Sequence, residues 1–148
     1  MNYFLKLNIV SILYALLFFI PLELMLNVYR IARLTSWQID TVNILTFIIL
    51  LVDTIGGTLV IYYLTKKWME GRKANFWTIL LWFPYFILFI FVLANLIPIT
   101  YGGDEPNPVT GLLALGGIIV YPGYIFFLNL FSITSVKQTD SPYEDSVK

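Results

Sequence analysis

The chain contains no cysteine and no histidine. The first absence excludes disulfides, thiol nucleophiles and thiolate metal sites. The second removes the commonest general base and metal ligand, so any proton chemistry proceeds without an imidazole. No metal site and no cofactor are expected. Charge is also scarce. Only 12% of the 148 residues are charged, against about 25% in soluble domains. Such a composition cannot cover a water-soluble surface. The formal net charge is zero, and no basic patch is extensive enough to suggest nucleic acid.

What the chain has instead is apolar length. Hydrophobic residues make up 59% of it, and mean hydropathy is +0.81. A membrane span needs about 20 mostly apolar residues. Glu23 is the only charge from Leu7 to Tyr29, Asp53 the only one from Thr41 to Thr65, and the runs 74–103 and 106–136 carry none. These runs predict an all-α integral membrane protein with four transmembrane helices near 7–29, 41–65, 75–98 and 109–133. Strands are excluded, because runs this long would expose strand edges to lipid. The first run is too long for a signal-peptide core and is interrupted by Pro21 and Glu23, so it reads as a retained helix. The four spans form one domain, 1–136, followed by a polar tail, 137–148, expected to be disordered.

Short loops predict an up-down-up-down bundle. Lys6, Lys66, Lys67, Arg72, Lys73, Lys137 and Lys148 fall on one side, and Arg30 and Arg33 on the other. The positive-inside rule then places both termini in the cytoplasm. It puts the 30–40 and 99–108 loops outside a cell membrane, read as a bacterial inner (plasma) membrane.

Asp53 is the most informative residue. It stands thirteenth of the 25 residues between Asp40 and Lys66. A carboxylate there costs roughly 2.5–3.5 kcal/mol on insertion scales, and needs a proton, a polar partner or water. Asn43, Thr46, Leu50, Asp53 and Gly57 recur at three- and four-residue steps, one stripe that should face protein or water. Glu23, Asn27 and Arg30 share a face of the first helix, and Asn95 lies in the outer half of the third. Together Asp53, Glu23, Asn27, Asn43, Thr46 and Asn95 predict a shallow cavity open to the outside and floored by Asp53. Gly56 and Gly57 permit close approach or a kink. Pro84 should bend the third helix. Gly116, Gly117, Pro122 and Gly123 read as a packing seam in the fourth, with Gly116 and Gly123 on one face and Pro122 breaking it.

No catalytic constellation is present, and two isolated carboxylates at different depths do not suggest an enzyme. The expected role is an accessory, regulatory or immunity-type subunit. It would work by helix–helix binding within the bilayer, to another membrane protein or to a second copy of itself. The alternative is a small proton- or cation-coupled transporter or channel subunit that uses Asp53 and possibly Glu23.

Overall fold

The computed structural model describes residues 2–69 and 71–140, and every regular element in them is helical. Five α-helices are formed: α1 (Tyr3–Leu26), α2 (Val28–Thr35), α3 (Ile39–Trp68), α4 (Thr78–Leu96) and α5 (Pro108–Asp140). Short 3₁₀ turns at Lys73–Trp77 and Gly102–Asp104 precede α4 and α5. Among the described residues, four helices are long and apolar enough to cross a membrane. Pro21, Pro84 and Pro122 all lie inside helices that continue past them, so Pro122 does not break α5.

Two boundaries differ from the sequence reading. The first span stops at Leu26 rather than Tyr29. Asn27 leaves helical geometry there (φ −103°, ψ 16°), and its backbone N–H reaches the Glu23 carbonyl at 3.0 Å. The expected 30–40 loop is mostly helix. α2 occupies Val28–Thr35, and Ser36 turns the chain with a left-handed φ of 58°. The cause is a short amphipathic pattern: Val28 and Ala32, one turn apart, are buried against Val42 of α3. Helix α5 runs to Asp140, so residues 137–140 of the expected tail continue it; the rest of the tail lies outside the described residues.

The arrangement of the spans is the larger correction. The sequence reading makes consecutive spans neighbours. In the structure α1 is the hub and packs against α3, α4 and α5. α3 and α4 flank it and pack against α1 and α5 rather than against one another. The chain between α3 and α4 therefore passes beneath the start of α1 and is fixed there. Lys6 Nζ donates to the Trp68 carbonyl at 3.1 Å, placing a cation at the carbonyl end of α3. Tyr3 Oη donates to Asn75 Oδ1 at 2.8 Å, and the Arg72 guanidinium lies 5.1 Å from the Tyr3 ring centroid. Gly71, with φ +63°, rests on Val136. Lys6, Lys66, Lys67, Arg72 and Lys73 thus share one end of the bundle, called the basic end below.

Between the helices lies an aromatic core. Phe18 of α1 meets Tyr121 of α5 at 4.7 Å and Phe86 of α4 at 5.3 Å between ring centroids. Trp82 meets Tyr121 at 4.8 Å. In lipid, apolar burial alone does not draw helices together, so association depends on interlocking shapes. α1 fits closely because of two glycines. A Cβ on Gly117 would sit 3.0 Å from Phe18, and one on Gly57 would overlap Leu17 Cδ1. Gly56, Gly116 and Gly123 have nothing within 4 Å of where a Cβ would be. The expected Gly116–Gly123 seam is therefore not an internal contact.

At the opposite end, two arginines of α2 strap down the α4–α5 connection. Arg30 donates to the Ile97 and Pro98 carbonyls at 3.0 and 3.2 Å, satisfying acceptors left free where α4 ends. Arg33 forms a two-pronged pair with Asp104 at 2.8 and 2.6 Å, and Asp104 is only 2% exposed. The Arg33 hydrogen bonds hold the Asp104 carboxyl below its ordinary value. A carboxylate depressed in the folded state stabilises fully above its unfolded pKa of about 3.9, and this is lost as pH falls through the lower folded value. The melting temperature in detergent should therefore fall for the wild-type protein once pH drops below about 4. In Asp104→Asn that component should be missing. Identical acid profiles for the two proteins would show that the pair contributes nothing.

Candidate functional site

The polar residues of the spans do not gather in one cavity. They divide across α1. On one side, between α1, α3 and α5, two cavities share Met25 and Leu50 in their walls. The first holds about 340 Å³ and has polar walls at Asn43, Thr46, Asn107 and Thr110. The second, about 280 Å³, is lined mostly by apolar side chains and by Thr54, Tyr121 and Tyr124. Together they make a crevice that runs from the Arg33–Asp104 end toward mid-span. On the other side, Glu23, Asn27 and Arg30 line a groove of about 590 Å³ against α4. Asn95 belongs to neither cavity system; it is exposed and donates to the Phe91 carbonyl of its own helix at 2.7 Å.

Of Glu23, Asn27 and Arg30, expected on one helix face, only the first two bond to each other. Asn27 Nδ2 donates to Glu23 Oε2 at 3.1 Å and to the Glu23 carbonyl at 2.9 Å. Arg30 turns instead to the α4 terminus. Glu23 and Asn27 therefore serve the helix break between α1 and α2.

Asp53 stands apart from Glu23, as their depths along the spans required. It lies in α3, close to Tyr121 and Tyr124 of α5. Its Oδ2 is shielded from solvent and has no hydrogen-bond partner, while the residue as a whole is partly open. Around it is a layer of hydroxyls that the sequence reading did not single out. Tyr124 and Thr58 share a hydrogen bond of 2.6 Å, and Thr58 also donates to the Thr54 carbonyl. Tyr121 Oη donates to the Tyr14 carbonyl at 2.6 Å. The tyrosine rings pack together, Tyr121 on Tyr124 at 5.3 Å and Tyr14 edge-on to Tyr124 at 6.4 Å. Thr54 and Thr58, four residues apart beside Asp53, were the available signal. Tyr121 and Tyr124 flank Pro122 and Gly123 of the expected packing seam.

Chemically, this site can exchange a proton at one carboxyl and form hydrogen bonds through hydroxyls. Among the described residues no three acidic side chains come together to hold a metal ion. Comparison with protein-family models, with curated proteins and with solved structures finds no match.

Proposed function

We propose that the protein is an accessory, regulatory or immunity-type subunit that docks to another helix within the bilayer through the α3–α5 face around Asp53. One observation carries the reading: mid-span Asp53 is partly open, while its shielded Oδ2 has no hydrogen-bond partner among the described residues. Lipid tails offer it none, so a polar group on a neighbouring helix lowers its cost. Gly56, one turn from Asp53, and Gly116 and Gly123 on α5 leave room for close backbone approach. The partner is another membrane protein or a second copy of this chain.

The test is photo-crosslinking in native membranes from position 56 or 123, with lipid-facing Leu59, 63% exposed, as control. A discrete adduct from 56 and 123 but not from 59 is expected. Adducts from all three, or from none, would end the proposal.

We further propose that both termini are cytoplasmic and that the membrane is a bacterial plasma membrane. The basic end carries Lys6, Lys66, Lys67, Arg72 and Lys73, against Arg30 and Arg33 at the opposite end. Cytoplasmic loops collect an excess of lysine and arginine. A cysteine replacing Ser36 should react with an impermeant reagent added to intact cells. Reaction only after lysis reverses the orientation.

A further inference from the structure

Beyond Asp53, the described residues hold five further buried side-chain polar atoms without a hydrogen-bond partner: Tyr14 Oη, Thr65 Oγ1, Asn75 Nδ2, Asn129 Oδ1 and Ser132 Oγ. None of these residues is more than 1% exposed. They come from α1, α3, the 3₁₀ turn and α5, and all lie on the basic-end side of the Tyr14–Tyr124 ring contact. The clustering is the informative point, because buried polar groups in folded proteins are nearly always paired.

Their neighbours link them. Asn129 Nδ2 donates to Thr78 Oγ1 at 2.8 Å, and Thr78 Oγ1 donates to the Asn75 carbonyl at 2.7 Å. Asn75 Oδ1 accepts from Tyr3 at 2.8 Å, near the mouth of the bundle. Ser132 follows Asn129 by one turn of α5. Higher in the bundle, the Tyr14 hydroxyl lies beside that of Thr65 without hydrogen-bond geometry. Fully buried Ser11, one turn from Tyr14 toward the basic end, donates to the Leu7 carbonyl at 2.8 Å. A side chain on a helix leans toward the helix N-terminus, so the Tyr14 phenol points toward the basic end. The ring contact with Tyr124 closes the set toward Asp53.

We propose that the basic half of the bundle is a hydrated half-channel: a site for water that begins at Tyr3 and Asn75 and stops at Tyr14. The free atoms offer an amide donor on Asn75, an amide acceptor on Asn129, and hydroxyls that act both ways on Ser132, Thr65 and Tyr14. A buried water makes about three hydrogen bonds to groups of this kind. This hydration is independent of the docking proposal, because none of these atoms is on the α3–α5 outer face.

The chain lacks cysteine, so single-cysteine variants report unambiguously. Ser132→Cys and Thr65→Cys, in nanodiscs, are treated with methanethiosulfonate ethylammonium. Leu130→Cys, at neighbouring depth and 40% exposed to lipid, is the control. Cysteine reacts as the thiolate, which forms where water solvates it, so the two interior cysteines should react at least about tenfold faster than the control. Rates equal to the control would show a dry network in which these side chains pair with one another, and would overturn the proposal. A measurement on the unmodified protein guards against misfolded variants. Radiolytic hydroxyl-radical footprinting should oxidise Tyr14 well above Tyr121, which is similarly buried but whose hydroxyl already has a partner. Equal, low oxidation of the two rings also overturns it.

Discussion

Trp82→Ala should lower the unfolding free energy of the bundle by about 3–5 kcal/mol, the range for removing a large buried aromatic side chain. Trp82 is 1% exposed and meets Phe18 of α1 at 5.8 Å, Phe86 of its own helix at 5.5 Å and Tyr121 of α5 at 4.8 Å. It therefore wedges three helices at one point. A soluble core would also lose the transfer of the indole out of water. Here the lost contacts and the residual cavity account for the effect, since lipid cannot follow the side chain into a closed core. The comparison is Trp77→Ala, removing an indole that is 59% exposed. Reversible denaturation in mixed micelles, followed by near-ultraviolet dichroism, should separate the two variants clearly. Equal midpoints would mean that the aromatic core does not hold the bundle.

Asp53→Leu should act in opposite directions on the isolated protein and on its docking. On insertion scales, aspartate at a helix centre costs roughly 2.5–3.5 kcal/mol and leucine is favourable by about 0.3–0.6. The substitution should therefore ease insertion of the second span by roughly 3 kcal/mol. Among the described residues Asp53 Oδ2 has no hydrogen-bond partner, so the fold loses none there in exchange. The adduct formed from position 56 should disappear in the same variant. A translocation assay on the isolated 39–68 segment measures the first effect, and crosslinking in native membranes the second. A full-length variant that folds less well than wild type would mean that Asp53 is an internal fastening. An undiminished adduct would remove it from the docking face.

The four spans and their polar interruptions were legible because length and hydropathy are local properties. The break at Asn27 was less so. It depends on an asparagine that serves its helix end by bonding the Glu23 carbonyl and carboxylate, a choice that an apolar run does not reveal. The central place of α1 was not legible. Short loops fix which helices are consecutive, but the small residues that admit a neighbour are read only with the neighbour present. Gly57 and Gly117 receive Leu17 and Phe18, while adjacent Gly56 and Gly116 face open space. A one-residue step rotates a helical position by about 100°, enough to exchange an internal seam for a bare face. The single cavity expected around Asp53 failed for the same reason. Asn43 and Thr46 lie on one side of α1 and Glu23 and Asn27 on the other.

The hub arrangement bears on the order in which the protein is made. Of the four spans α1 leaves the ribosome before the others, and its partners arrive on different flanks: α3 on one, α4 on another, then α5. A nascent chain that has completed α3 still presents Phe18 and Phe19 without the α4 rings, Phe86 and Phe89, that they meet in the finished protein. The earliest-made of the four spans is thus the last to be fully enclosed, and it depends on whatever the insertion machinery places beside it until α5 arrives.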